Sequence, residues 1–390
     1  LRTFGEGKNR VIAFSRRAMV FLAALIVISL YGCNPSEEPQ PAEDSIAETV
    51  TDNVATRFKF EDHKMAMKVN IVLYAPDEET ARAAADAAYA VFDDINAKMS
   101  DYDAASEVRQ LCDRENCTEF HQVSDELFEV LKRSQELSER TDGAFDVTVG
   151  PIVKLWRRAR RQMKIPSEER LAEALAVCDY RLIELKSAKE TGDRPMVRLG
   201  KQDMRIDLGG IAKGYALDKA MEALKEAGIR SALIEAGGDV IVSDGPPDKP
   251  NWMILVVGLK PGEMERTLHA SNLSIATSGD QIQFVEIDGK RYSHIADPKT
   301  GMGLTDHSAV SVIAPDATTA DALASAVSVL GPERGIELID ATPGCAARVV
   351  RRPADVAESY YSKRWSEYDI RESPFATEEE NKSEDEESVE

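Results

Sequence analysis

Residues 68–74 (KVNIVLY) alternate and are rich in β-formers, which predicts the strand that opens the domain. The period then changes. Ala84, Ala87, Ala88, Val91, Phe92 and Ile95 recur at helical spacing behind Pro76-Asp77, so 78–99 reads as a helix. A second helix is predicted over 127–140, with Leu127, Val130, Leu131 and Leu137 on one face, Ser124 as N-cap and Thr141-Asp142-Gly143 as its stop. GAFDVTVGP at 143–151 reads as a short extended piece, 157–161 as the basic, solvated end of a helix, and 167–177 as a helix capped by Ser167. Beyond residue 195 the pattern predicts strands at 196–199, 204–208, 231–235, 239–242, 252–257, 273–276, 282–287, 291–295 and 308–314, and helices at 211–227, 318–330 and 333–340. Adjacent strands with helices between groups of them imply an α+β fold with largely antiparallel sheets.

The turns carry the candidate chemistry. DLGGIAKGYALDK at 207–219 leaves an apolar stretch (Met204, Ile206, Leu208) and enters a helix. Gly209 and Gly210 allow close backbone approach, the helix start offers N–H groups, and Lys213 adds a positive charge. Together they suit a phosphate; a plain, tightly packed strand-to-helix turn fits the same residues. The segment has neither a Walker spacing nor the Gly-x-Gly-x-x-Gly of dinucleotide folds, which removes the usual support for ATPase and dehydrogenase readings. Three further breaks, EAGGD at 235–239, ATSGD at 276–280 and DPKTG at 297–301, share the small and hydroxyl-bearing character. Asp321 and Ser325 lie four apart on one predicted helix, hence on one face, where two oxygens suit Mg²⁺. An Asp near a helix start and a Ser bonded to its own backbone explain the same pair without a metal. His294, one of five histidines, is a candidate proton acceptor or a core histidine bonded to a carbonyl.

The chain ends change the picture of where the protein works. Arg10, Arg16 and Arg17 precede an apolar run at 18–31 and then Gly32-Cys33, the order of a secretory leader. Leu30-Tyr31-Gly32-Cys33 resembles a lipobox, which would leave Cys33 as an acylated first residue, and Ser15-Arg16-Arg17 resembles a twin-arginine export signal. Residues 34–56, poor in large apolar side chains, read as a tether, and the acid-rich 369–390 as a solvated tail. The expected organisation is thus leader 1–32, tether 33–56, folded domain 57–368 and tail 369–390. A formal charge of -21 argues against nucleic acid as a partner. Cys112 and Cys117 flank a polar stretch and either close a small disulfide loop or remain thiols.

DGAFDVTVGP, DLGGIAKGYALDKA, IEAGGD, IATSGD, SHIADPKTG and ATTADALASAVSVLG follow one another in the order found in the ApbE family of FAD:protein FMN transferases, which the chain closely resembles over about residues 58–365. The resemblance implies an ApbE-like, T-fold-related architecture. It implies Mg²⁺-dependent transfer of FMN from FAD to a threonine hydroxyl of an acceptor flavoprotein, with release of AMP. Carried over by position, it places Ala144, Phe145, Asp146, Asp207, Lys213 and the backbone near Ala296 against FAD, with Met65 and Tyr102 near the flavin and adenine. The carbonyl of Gly210, Asp321 and Ser325 would hold Mg²⁺, and His294 is the candidate catalytic base. The implied acceptor motif is Ser/Asp-Gly-Ala/Ser-Thr-Ser/Gly-Ala/Thr. Met65-Ala66-Met67 stands where the family has Met-Gly-Thr, and Ser325 where Thr is usual. Some family members hydrolyse FAD to FMN and AMP, and a lipid-anchored flavin-binding protein without catalysis is a further alternative. The implied location is a membrane-anchored lipoprotein facing the periplasm or cell exterior.

Overall fold

The computed structural model describes residues 55–256, 258–259, 266–279, 283–352 and 356–373. The leader, Cys33, almost all of the tether and the tail beyond residue 373 lie outside the described residues. Eight strands form one antiparallel sheet. Across it lie Thr56–Lys64, Met67–Ala75, Ala232–Ala236, Asp239–Val242, Leu273–Gly279, Ser308–Ala314, Ala346–Arg351 and Glu358–Tyr361, each paired with the next.

The two-residue period of each strand divides its side chains between two cores. Val69, Ile71 and Leu73 face the helices Glu78–Met99, Ala212–Glu226 and Ala317–Asp340, while Val72 and Tyr74 face the opposite side. There Trp252, Ile254 and Leu268 pack from a three-stranded sheet made of Trp252–Val256, Arg266–Ala270 and Asp369–Glu372. The sheet is therefore buried between a helical layer and a small second sheet, in keeping with the expected α+β class. A satellite core gathers Ile152 and Trp156 of the helix Gly150–Gln162 with Val285, Ile287 and Tyr292 of the hairpin Phe284–Ile287/Lys290–Ser293.

Two helices are locked side by side. Gly214 in Ala212–Glu226 leaves no room for a side chain, since a Cβ would lie 2.2 Å from the Ala317 carbonyl oxygen. One turn later Asp218 accepts the first N–H groups of the neighbouring helix, from Ala317 at 2.7 Å and Thr318 at 2.9 Å. Asp316 caps the same end through the Thr319 N–H at 2.9 Å. The predicted break between 330 and 333 is present, at Gly331 (φ 75°) followed by Pro332.

Several expectations change. The sheet begins earlier than residue 68, because Thr56–Lys64 forms a strand with Phe58 and Phe60 packed on the helical core, so the tether ends sooner than 56. At the other end Asp369–Glu372 is an edge strand on Arg266–Ala270, which moves the start of the tail past the expected 369. The stretch 204–208 buries Met204, Ile206 and Leu208 as a strand would, yet makes only a single bridge, Arg205 with Val149. The 143–151 piece is a turn, with the helix starting at Gly150. Cys112 and Cys117 are both buried free thiols.

Candidate functional site

The glycine turn, the EAGGD turn and the long Ala317–Asp340 helix converge on Lys213. Its ammonium bridges the Asp239 carboxylate and Asp321 Oδ1, the latter at 3.2 Å. Each carboxylate is fixed on its other side by a backbone N–H. Thr277 donates to Asp239 Oδ1 at 3.1 Å, and Gly214 donates to Asp321 Oδ2 at 3.0 Å. Burial works against charge on Lys213, but the two carboxylates outweigh it and hold its pKa above the ordinary lysine value. Burial pushes the Asp239 carboxyl up to about 6, with Lys213 opposing and Asp321 adding to the rise.

Gly214 is the third residue of its helix, a position whose N–H has no acceptor within the helix. Asp321 accepts that N–H, and among the described residues the Gly210 carbonyl accepts no backbone hydrogen bond. Ser325, one helical turn beyond Asp321, puts its hydroxyl 2.8 Å from where a Cβ on Gly210 would stand. That hydroxyl makes no hydrogen bond among the described residues, whereas Ser328 on the same helix bonds its i−4 carbonyl at 2.9 Å. A carboxylate and a hydroxyl one helical turn apart thus lie near Gly210, and among the described residues the Ser325 hydroxyl and the Gly210 carbonyl are uncommitted. No group of three His, Cys, Asp or Glu suited to a metal occurs among the described residues, so a cation here would rest on this mixed oxygen set. Such donors fit a hard ion that keeps waters or phosphate oxygens in its shell.

Phe145 closes one side, its ring edge 3.5 Å from the same Gly210 Cβ position. It is aimed there by the end of the helix Asp125–Arg140, where Asp142 (φ 51°) and Gly143 (φ 75°) turn the chain and the Phe145 N–H bonds Thr141 Oγ1 at 3.1 Å. The Asp146 carboxylate is spent on the loop itself, accepting from the Thr148 N–H and hydroxyl and from the Tyr180 N–H at 2.7–2.9 Å. Burial raises its pKa. Its structural part is therefore to hold the Ala144-Phe145 turn.

Asp207 begins the glycine turn and accepts the Gly209 N–H at 2.9 Å. Its other oxygen meets Arg157 at 3.2 Å, and Arg157 also pairs with Asp101 and lies over the Tyr102 ring at 3.9 Å. Burial, helped by the Asp101 charge, raises the Asp207 pKa. The basic 157–161 run is thus not wholly a solvated face, since Arg157 turns inward to three neighbours. Tyr102 remains 77% exposed, an aromatic surface open to a ring. Met65 sits at the hairpin tip, and Met67 puts its sulfur 2.9 Å from a Cβ position on Gly237, two residues before Asp239. Ala296 is nearly buried and bridges Gly303, in a loop tied down by the Trp156 indole N–H donating to Gly301 O at 2.8 Å. His294 lies past the hairpin Lys290–Ser293, with Nδ1 3.0 Å from the Gln283 carbonyl. The carbonyl can only accept, so Nδ1 is the donor in this contact.

Sequence reasoning passed over Asp239, Thr277, Arg157 and Asp101. Asp239 stood inside a quoted turn, but its pairing with Lys213 spans 26 residues and leaves no local trace.

The family model described as "ApbE family" matches residues 65–349. The chain belongs to the ApbE family. It is 35% identical over 239 residues to a Treponema pallidum protein named FAD:protein FMN transferase, covering 58% of this chain and 65% of that one, a little under two thirds of the relative. A Haemophilus influenzae protein of the same name is 33% identical over 259 residues, covering 64% and 73%. Among solved structures, the ApbE protein from Thermotoga maritima superposes with a TM-score of 0.70 at 30% identity, over 80% of this chain and 99% of that one.

Proposed function

We propose that this ApbE-family chain transfers FMN from FAD to a threonine hydroxyl of an acceptor flavoprotein, releases AMP, and uses Mg²⁺ to do so. The observation that carries the reading is the oxygen set of Asp321, the Gly210 carbonyl and the Ser325 hydroxyl, beside a lysine able to face a diphosphate. In the transfer, the acceptor Oγ–phosphorus bond forms on the FMN side, the bridging P–O bond breaks, and AMP leaves with the bridging oxygen. Mg²⁺ on that oxygen set would offset charge on the diphosphate as this bond breaks. Lys213 adds a second positive charge, with Asp239 holding the ammonium in place. Phe145 and Tyr102 present ring surfaces, and Asp146 and Asp207 fix the two turns that carry the contacts. His294 is the base assigned to the threonine proton.

The same reading places the domain outside the cytoplasm. Cys33, preceded by a basic and then apolar segment, would carry the lipid, and the chain would act on the outer side of the cytoplasmic membrane or in the periplasm.

The test is incubation of the chain with FAD, Mg²⁺ and a domain bearing the acceptor motif. Covalent flavin on the acceptor with stoichiometric AMP is expected. Free FMN and AMP would replace transfer by hydrolysis, and unchanged FAD would leave binding alone. Asp321→Ala should cut AMP release by about a thousandfold or more, the scale of losing a metal's charge at a phosphoryl centre. Full turnover by that variant in Mg²⁺ buffer would sink the metal assignment.

A further inference from the structure

A cleft of about 870 Å³ runs between the helices Gly150–Gln162 and Glu168–Leu175 and ends at residues 203–205. Lys154, Arg158, Arg161, Arg170 and Arg205 line it against only two carboxylates, Glu173 and Asp203. This is a local inversion of charge in a chain with 69 acidic and 48 basic residues. Elsewhere the cations are commonly paired, as at Arg82, Arg109, Arg133 and Arg198. Among the described residues, none of Lys154, Arg158, Arg161 or Arg170 has a carboxylate within ion-pair distance; Arg158 reaches only Gln162, at 3.2 Å. Arg205 gives one nitrogen to Asp113 at 2.7 Å, while its Nη1 is shielded from solvent and bonds nothing.

Helix electrostatics explain part of this and not the rest. Arg161 lies in the last turn of its helix, where the dipole favours a cation. Arg170 lies in the first turn of the next helix, where the dipole disfavours one. The cleft also has apolar surface, from Pro151, Leu155 and Val177. A concave site with both features suits a polypeptide better than the flat surface of a bilayer. The two carboxylates inside it suit a mixed acidic and polar chain better than a uniform polyanion. Position links it to the flavin site. The helix that supplies Lys154, Arg158 and Arg161 also sends Arg157 to Asp207, and Arg205 stands two residues before Asp207.

We propose that this cleft docks an acidic segment of the protein that receives the flavin, an inference that rests on the transfer reading above. Carboxylates of the segment pair with the unpartnered cations, an apolar side chain covers Leu155 and Val177, and the acceptor threonine is thereby delivered along the helix toward Asp207.

The test uses the full chain carrying Cys33→Ser and a fluorescein-labelled Gly/Ser peptide with four glutamates and one leucine, read by anisotropy at low salt. A matching glutamine peptide, phosphatidylglycerol vesicles and oligo-dT are the comparison probes. The glutamate peptide should bind and the glutamine peptide should not. Arg158→Glu/Arg161→Glu should weaken binding at least tenfold, while Arg160→Glu, on the same helix but outside the cleft, should leave it unchanged. In the transfer assay the double variant should raise the acceptor KM at least tenfold with kcat and FAD affinity retained. Equal binding by the double variant, no binding at all, or vesicle or oligo-dT binding that depends on the two arginines in place of peptide binding would overturn the proposal. An unchanged acceptor KM would do the same. If the wild type releases no AMP and moves no flavin, the transfer reading fails by that result alone, whatever the peptide titration gives.

Discussion

Lys213 stands between two carboxylates that are each held by a backbone N–H, and the arrangement makes Asp239 a titrating group with a defined sign. Its folded-state pKa, about 6, lies above the ordinary aspartate value of about 3.9. The folded protein therefore holds this proton more tightly than the unfolded chain, and its contribution to stability is fully present below pH ~4 and lost as pH rises through ~6. Asp239→Asn removes the titration. In cation-free buffer the stability of the wild type relative to Asp239→Asn should thus be highest near pH 4 and shrink by about 1–3 kcal/mol up to pH ~6. Urea unfolding of both proteins across that range measures it. A difference that stays flat, or grows with pH, would show that Asp239 is ionised throughout and that Lys213, not burial, governs it.

Elements carry the next level of constraint, and two of them make opposite demands on a small residue. The hairpin Thr56–Lys64/Met67–Ala75 turns through only Met65 and Ala66, both at positive φ (50° and 60°). A two-residue hairpin turn of this kind favours Asn-Gly, and an alanine in the left-handed region costs about 1 kcal/mol. Ala66→Gly should raise stability by about 0.5–1 kcal/mol, seen as a higher urea midpoint at constant slope. Gly214 is the reverse case. A Cβ there would meet the Ala317 carbonyl oxygen at 2.2 Å, and backbone cannot step aside. Gly214→Ala should cost about 2–3 kcal/mol and pull Asp321 out of line with Gly210 and Ser325, so Mg²⁺ should no longer raise its melting temperature. A variant as stable as wild type would mean the two helices are less tightly locked than the distances imply.

The same elements show what could be read from the chain alone. Strongly periodic helices such as Glu78–Met99 and Ala212–Glu226 were visible because one face of each meets a continuous core. The edge strands were not. Asp369–Glu372 exposes most of its side chains and Glu358–Tyr361 alternates only partly buried residues, so neither carries a hydrophobic pattern, and both exist through pairing with distant strands. The 204–208 stretch erred the other way: it is buried like a strand but runs where only Val149 bridges it. In the site, Asp321, Ser325 and Lys213 were legible because four-residue spacing and a glycine turn are local signals. Asp239 and Arg157 act through partners that only folding brings near.

At the scale of the whole molecule, a net charge of -21 makes an anionic bilayer a poor electrostatic partner, so membrane attachment needs a hydrophobic anchor. The segment before Cys33 supplies the order such an anchor requires: Arg16 and Arg17, then an apolar run, then Gly32-Cys33. One acyl chain binds a bilayer only marginally, whereas two or three hold it firmly, so the lipidated form should remain with membranes through salt and alkaline washes and enter the detergent phase on phase separation. Deleting residues 1–33 leaves residues 55–373 untouched and should move the protein into the aqueous phase, with flavin transfer to a soluble acceptor unchanged. Metabolic labelling with a fatty acid should mark the wild type and miss Cys33→Ser. If Cys33→Ser takes up as much label as the wild type, the lipobox reading fails while the chemistry at Lys213 and Asp321 stands.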